Sequence, residues 1–173
     1  MSQLLAAKLI RDVPDFPKPG ILFKDVAPVF QNPAALYEAV RLLADDAKAK
    51  GAEVIVGIES RGFVFGVPVA LELDLPFVVA RKAGKLPWKK VSKTYDLEYG
   101  TATIEMHEDA IQPGQRSYIC DDLLATGGTA EATAHLVEML NGNVCGFGFL
   151  VELGFLHGRQ VLKDYSVCSL ITY

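Results

Sequence analysis

The chain has 173 residues, of which 50% are hydrophobic, and a formal net charge of −4 at pH 7. A chain of this length can enclose one hydrophobic core, so we expect a single domain over residues 1–173. Nucleic acids and anionic membranes attract basic surfaces, so this acidic balance argues against both as partners and predicts that any anion site is local.

The cysteines and the N-terminus indicate the compartment. Cys120, Cys145 and Cys168 are odd in number and lie far apart within apolar runs, which favours buried thiols over a disulfide framework or a metal cluster. The apolar run before Arg11 is too short for a secretory signal, and no stretch reaches the length of a membrane span. We therefore expect a cytoplasmic protein.

The first elements are a turn and a helix. Residues 16–20, FPKPG, predict a rigid turn because two prolines fix φ and Gly20 permits the reversal. A helix is then predicted, with Asn32 as its N-cap, Pro33 at its first position, apolar residues at helical spacing, and Gly51 at its end.

Strands and helices alternate through the rest of the chain. Apolar runs predict strands at 54–58, 76–80, 116–120, 144–153 and 167–173, and helical patterns lie at 62–73, despite Pro68, and at 129–140. This alternation indicates an α/β fold with a mostly parallel central sheet flanked by helices. Such sheets bind ligands beyond the carboxyl ends of their strands.

Residues 84–106 predict a different arrangement. Residues 84–94 contain glycine, proline, Trp88 and several lysines without any period, which is typical of a loop and a candidate lid. From Tyr95 to Met106, polar residues that include Glu105 alternate with apolar ones. This alternation predicts an antiparallel strand with one wet face, as one arm of a mobile hairpin.

The most specific chemical signal is DDLLATGGT, which follows the apolar run ending at Cys120. Asp121 and Asp122 can accept hydrogen bonds from the vicinal hydroxyls of a ribose. A phosphate monoester can be held by loop amides and the helix N-terminus at Ala125, Thr126, Gly127, Gly128 and Thr129. The hydroxyl of Thr129 can also cap the helix. Acid pairs alone are usually exposed carboxylates without a specific role, and TGGT alone is usually a turn. Joined in this order, they predict a site for a ribose phosphate.

Two further strand ends carry cations. Arg61 lies in IESRG between a predicted strand and helix, where it could hold a second anion or simply pair with Glu59 at the surface. The cluster Arg81, Lys82 and Lys85 follows the next strand and could neutralise a polyanion, or could be a solvated basic loop. Two other anion sites in the chain favour the functional interpretation.

The aromatic residue after the rigid turn has two interpretations. Phe23 and its neighbour Leu22 could stack on a purine while the backbone of residues 21–24 reads its edge, or both could be buried in a subdomain core. The chemistry of these residues favours neither interpretation. His107, His135 and His157 are scattered without ligand spacing, so structural roles are expected for them.

Residues 118–129, YICDDLLATGGT, resemble the phosphoribosyl pyrophosphate (PRPP) signature of type I phosphoribosyltransferases, and the Leu-Leu-Ala within it resembles the members that act on adenine. The similarity continues in family order through FPKPGILFKD (16–25), GIESRGFVFG (57–66), RKAGKLP (81–87) and YDLEYG (95–100). It implies the type I phosphoribosyltransferase fold, with a small N-terminal hood at about residues 1–32 and a flexible lid loop and hairpin at about residues 84–106.

The resemblance implies transfer of the 5-phosphoribosyl group from PRPP to adenine, giving AMP and pyrophosphate in purine salvage. Mg²⁺ would be bound mainly through PRPP and water. The candidate catalytic residues are Glu98, near the reacting nitrogen of adenine, Tyr99, which would close over the site, and Arg61. The implied adenine site consists of Leu22, Phe23 and Lys24. Most relatives have arginine at the last position, but main-chain contacts should preserve the adenine preference.

The resemblance also assigns the pyrophosphate site. Its residues are Glu59, Ser60, Arg61, Arg81, Lys82 and Lys85, with a cis peptide between the first two. In the family the arginine at position 81 reaches the partner subunit's site, which implies a homodimer. The tip Trp88-Lys89-Lys90 is unusual for the family.

Two alternatives share the PRPP loop. A phosphoribosyltransferase for hypoxanthine, guanine or xanthine would differ in its base. A PRPP-sensing regulator would bind PRPP without catalysis and would normally add a DNA-binding domain. Because the enzyme-like pattern begins by Phe16 and includes RKAGKLP and YDLEYG, we expect an enzyme.

Overall fold

A mixed sheet forms the centre of the molecule. The computed structural model of the protein describes residues 4–96 and 100–173. Its strands are β1 (Arg11–Pro14), β2 (Leu22–Asp25), β3 (Val54–Ile58), β4 (Phe77–Lys82), β5 (Lys90–Asp96), β6 (Thr101–His107), β7 (Arg116–Leu124), β8 (Asn143–Glu152) and β9 (Val167–Thr172). Its α-helices are α1 (Ala27–Phe30), α2 (Pro33–Ala49), α3 (Gly62–Leu73), α4 (Gly128–Met139) and α5 (Gly158–Val161).

The strand order of the central sheet is β5-β6-β4-β3-β7-β8-β9. Five neighbouring strands pair in parallel, in the order β4, β3, β7, β8 and β9. In contrast, β6 pairs antiparallel with both β4 and β5. β1 and β2 form a separate antiparallel pair near the N-terminus. The predicted α/β class with a mostly parallel sheet is confirmed.

Helices cover both faces of this sheet. Along β3, Ile55 packs with the α2 and α3 side chains, whereas Val54, Val56 and Ile58 pack with the α4 side chains. All five residues of β3 are buried. This two-sided burial explains the uninterrupted apolar run, because neither face of a central parallel strand meets water.

The N-terminal cap of α2 was predicted correctly. The side chain of Asn32 accepts a hydrogen bond from the amide of Ala35 at 3.0 Å, and Pro33 occupies the first helical position, where no amide donor is needed. Helix α3 continues through Pro68 as predicted. Within the described ranges, no helix has the length and apolarity needed to cross a membrane.

Three expectations need correction. β5 begins at Lys90, so residues 90–94 are strand rather than loop, because pairing with β6 starts at His107. Glu105 is buried, not wet, since it is paired with Lys90 at 3.1 Å and accepts from the Gly84 amide at 3.0 Å. Of the cysteines, Cys120 is buried, but Cys145 and Cys168 are only partly so, and all three are free thiols.

Candidate active site

A cavity of about 340 Å³ opens at the carboxyl ends of β3, β4 and β7. Its lining residues come from the ends of those strands and the loops that follow them, from the β5–β6 hairpin and from the start of α4. They are Ile58, Glu59, Ser60, Arg61, Lys82, Lys85, Tyr95, Ile104, Asp121, Asp122 and Thr129. Most predicted anion-binding residues therefore share one cavity, as expected for parallel strand ends.

The acid pair lies within β7 rather than after it. Pairing of β7 with β8 continues through Leu124, so both aspartates belong to the strand. Asp122 is 4% exposed and its carboxylate accepts a hydrogen bond from Nε of Arg61. Oδ1 of Asp121 accepts from the Asp122 amide at 2.8 Å. Burial, and next the charge of Asp122, raise the pKa of Asp121 well above its usual range.

Arg61 contacts the acid pair and not Glu59, so the surface pairing considered for it is wrong. It lies at the N-cap position of α3, about half exposed. Burial lowers the pKa of Arg61, but the bond to Asp122 and the charge of Asp121 outweigh burial and raise it. A permanently charged guanidinium therefore lies beside the two carboxylates.

Glu59 lies at the centre of the cation cluster formed by Arg81, Lys82 and Lys85. Its carboxylate accepts from Nε and Nη2 of Arg81, each at 3.2 Å, from the Lys82 amide at 3.1 Å and from Nζ of Lys85 at 3.0 Å. Burial raises the pKa of Glu59, but these bonds outweigh it and lower the pKa to about 2. The peptide between Glu59 and Ser60 is cis, as the resemblance implied.

The 125–127 loop, predicted to bind the phosphate, connects β7 to α4. Gly127 has φ +88° and occupies the N-cap position of α4, and the helix begins at Gly128. Thr129 therefore does not cap the helix as predicted, and instead its hydroxyl donates to the Tyr95 hydroxyl at 2.9 Å. Sequence reasoning missed this contact, which joins the β5–β6 hairpin to the loop. The YDLEYG motif marked the hairpin, but no local signal identified Tyr95.

The predicted adenine residues lie on β2, outside the cavity lining. Leu22 is 49% exposed. The rings of Phe23 and Phe16 form an edge-to-face pair with centroids 5.1 Å apart, and Phe23 is partly buried. Nζ of Lys24 pairs with Asp12 at 2.5 Å and lies 3.9 Å from the centre of the Tyr173 ring.

The remaining candidates are Glu98 and Tyr99, which lie outside the described residues. Tyr95, three residues before Glu98, lines the cavity.

An acid pair, a glycine loop and several cations meet at neighbouring strand ends, and residues 26–169 match the family described as the phosphoribosyl transferase domain. The chain is 54% identical over 166 residues to the adenine phosphoribosyltransferase of Desulfitobacterium hafniense, covering 96% of each chain. It belongs to the adenine phosphoribosyltransferase family.

Solved structures give the same result. The crystal structure of adenine phosphoribosyltransferase from Thermoanaerobacter pseudethanolicus superposes with a TM-score of 0.95 at 46% identity, over 99% of this chain and 100% of that one. The enzyme from Saccharomyces cerevisiae, complexed with an iminoaltritol bisphosphate and adenine, gives 0.90 at 40% identity, over 95% and 96% of the two chains.

Proposed function

We propose that the protein catalyses the reaction of its family, transferring the 5-phosphoribosyl group from PRPP to adenine to give AMP and pyrophosphate in purine salvage. The observation that carries this proposal is that Asp121 and Asp122 share one cavity with Arg61, Lys82 and Lys85. The 125–129 loop lines an adjoining pocket that shares Asp121 and Thr129 with this cavity. Ribose, its 5′-phosphate and a pyrophosphate group each have a chemically suitable partner there.

The acid pair serves the reacting sugar. The bond between C1′ and the pyrophosphate oxygen breaks as N9 of adenine attacks C1′, so positive charge develops on the ribose in the transition state. Asp121 and Asp122 hold the 2′- and 3′-hydroxyls and offset this charge. The loop amides of Ala125, Thr126, Gly127, Gly128 and Thr129 hold the 5′-phosphate and so fix C1′ in place.

The cation clusters serve the leaving group. The departing pyrophosphate accepts hydrogen bonds from Arg61, Arg81, Lys82 and Lys85. Ser60 also lines the cavity. Glu59 pairs with the Arg81 and Lys85 donors. Pyrophosphate carries more charge than one carboxylate, so it competes effectively for these donors.

The residue set fits Mg²⁺ that arrives with PRPP. Among the described residues, no three His, Cys, Asp or Glu side chains converge as metal ligands, while Asp121 and Asp122 offer the oxygen ligands that Mg²⁺ prefers. We propose that PRPP and water supply most of its ligands. When bound, the ion neutralises part of the pyrophosphate charge.

Adenine is proposed to bind against Leu22, Phe23 and Lys24 of β2, whose backbone reads the purine edge. Tyr99 closes over the site. Glu98 accepts or orients the proton that N9 loses. The protein is further proposed to be a homodimer, which the position of Arg81 in the family supports. It is also proposed to be cytoplasmic, which its three free thiols support.

Product identification tests the reaction. The protein is incubated with PRPP, Mg²⁺ and adenine, hypoxanthine, guanine or xanthine, and nucleotides are separated by chromatography. We expect AMP from adenine and little product from the other bases. Faster turnover of another purine would reassign the substrate, and binding of PRPP without any turnover would indicate a sensor.

Replacing Glu98 with Gln tests the proposed base. We expect kcat to fall by about 10²-fold, within the range for general acid–base groups, while the KM for PRPP changes little. Steady-state kinetics at varied PRPP and adenine separate the two constants. An increase in the KM for adenine alone, at unchanged kcat, would show a binding role instead.

A further inference from the structure

The 125–128 loop rests on the backbone of α5. A Cβ atom on Gly158 would lie 2.2 Å from the carbonyl oxygen of Ala125, and one on Gly127 would lie 2.7 Å from the carbonyl oxygen of Gly158. Real Cβ atoms do not approach other atoms so closely, so both contacts require glycine. The side of the loop opposite the proposed phosphate position is therefore in backbone contact with α5, and α5 supports the loop on that side.

Helix α5 is too short to be stable by itself. It has four residues, and no side chain caps its N-terminus. A single turn fixes several backbone dihedrals for very few hydrogen bonds, so it needs tertiary contacts to persist.

Arg159 supplies these contacts. Its Nε donates to Oε1 of Glu152 at 3.0 Å and its Nη2 to Oε2 at 2.5 Å, a two-pronged pairing with a carboxylate that is 6% exposed. Its Nη1 donates to the carbonyl oxygen of Val167 at 3.0 Å. The guanidinium thus joins α5 to β8 and β9.

Glu152 is the neighbour of the residue from which the loop departs. It pairs with Leu124, the last residue of β7, and the amide of Leu153 donates to the Leu124 carbonyl at 2.9 Å. Hence Arg159 connects α5 to the same end of the sheet from which the 125–128 loop departs.

We propose that Arg159, through Glu152, is a positioning residue for the 5′-phosphate of PRPP and AMP. It touches no substrate. By fixing α5, it keeps the 125–128 loop in the shape that aims its amides at the phosphate. The proposal rests on the proposed role of this loop, and it adds a recognition requirement outside the cavity.

The test compares Arg159→Lys and Arg159→Met with Arg116→Met. Arg116 is a matched control because its guanidinium also joins elements, donating to the carbonyl oxygens of Lys50 at 2.5 Å and Gly51 at 3.0 Å, but at the opposite end of β7. The measurements are the KM for PRPP, the inhibition constants of AMP and pyrophosphate, and kcat.

We expect the KM for PRPP and the inhibition constant of AMP to rise together, by roughly tenfold in Arg159→Met and less in Arg159→Lys, because both ligands carry the 5′-phosphate. The constant for pyrophosphate, which lacks it, should stay within about twofold, as should all three constants in the control.

These constants do not depend on the fraction of folded enzyme, so partial misfolding does not imitate the result. Unchanged PRPP and AMP constants would overturn the proposal, and so would an equal rise for pyrophosphate. Failure of the unaltered protein to form AMP would refute the proposed function separately.

Discussion

The two aspartates of β7 are chemically unequal. Asp122 is buried against Arg61, whereas the pKa of Asp121 is raised well above its usual range by burial and by the charge of its neighbour. The positive charge of Arg61 beside the pair offsets part of its negative charge. This arrangement can accept hydrogen bonds from a diol without strongly repelling the phosphates of PRPP.

Replacing Asp122 with Asn tests this inequality. We expect kcat to fall by about 10²-fold, the cost of removing one group that stabilises transition-state charge. Loss of the Asp122 charge should also lower the pKa of Asp121, so the acidic limb of the residual activity profile should move to lower pH. Asp45→Asn, an exposed acid on α2, is the control. Turnover equal to that of the unaltered protein would remove Asp122 from the mechanism.

Glu59 should make folding stability depend on pH in the acidic range. The pKa of Glu59 is lowered from 4.5 to about 2 by its hydrogen bonds. A lowered carboxyl pKa contributes stability above the unfolded value, and this contribution disappears as pH falls from about 4.5 towards 2.

Glu59→Gln should therefore lower the free energy of unfolding by roughly 1 kcal/mol at pH 7, since solvent screens its partners, and by progressively less towards pH 2. Urea denaturation at a series of pH values measures this difference. Glu108→Gln, at an exposed acid 3.7 Å from Lys89, serves for comparison. A difference that grows on acidification would contradict the assignment.

At the scale of elements, the start of α3 is packed directly on the middle of β7. A Cβ atom on Gly62 would lie 2.6 Å from the Cys120 carbonyl oxygen and 3.0 Å from Oδ1 of Asp121. The close approach of this helix therefore links the 59–61 loop to the acid pair.

Gly62→Ala should be destabilising although alanine is the better helix former. Intrinsic propensity favours alanine by up to ~1 kcal/mol, but overpacking against backbone costs ~1–3 kcal/mol. We expect the net stability to decrease and kcat/KM to fall by roughly tenfold as Asp121 is displaced. Val67→Ala, at a 39% exposed position of the same helix, should have little effect on activity. A stabilised and fully active Gly62→Ala would show that the contact relaxes freely.

Elements with local causes could be predicted from the sequence. The Asn32 cap, the helical stripe of α2 and the apolar run of β3 each depend on neighbouring residues, and each was correct. The contacts that the sequence did not disclose join distant residues. Arg61 pairs with Asp122, 61 positions away, and Thr129 with Tyr95, 34 positions away.

Errors in the predicted elements have the same origin. Glu105 follows a polar and apolar alternation, yet it is buried because Lys90 and the Gly84 amide come from a different segment to satisfy its carboxylate. β7 extends through the acid pair because β8 continues to supply hydrogen-bond partners. Such outcomes depend on tertiary pairing, which one strand's sequence does not encode.

At the scale of the whole molecule, the parallel sheet explains how an acidic chain makes a site for polyanions. The net charge is −4, but the carboxyl ends of β3 and β4 and the loops that follow bring Arg61, Lys82 and Lys85 to a single cavity. Local fields of this kind decide ligand binding at distances below the ~8 Å screening length of physiological salt. Chain composition therefore constrains the partners only on average.

The proposed homodimer gives a test that involves two complete subunits. If Arg81 serves the partner subunit's site, Arg81→Ala in one subunit and Asp122→Asn in the other damage the same site of a mixed dimer. One site then carries both defects and the other carries none. If Arg81 instead serves its own site, where it contacts Glu59, every site in every mixture is defective.

Co-refolding equal amounts of the two variants should therefore restore up to roughly a quarter of the unaltered activity, since about half of the random dimers are mixed and each has one intact site. AMP formation before and after mixing measures the recovery, and analytical ultracentrifugation confirms that dimers formed. The control mixes each variant with itself and should remain inactive. If dimers form without recovered activity, Arg81 acts within its own subunit and the shared site is wrong.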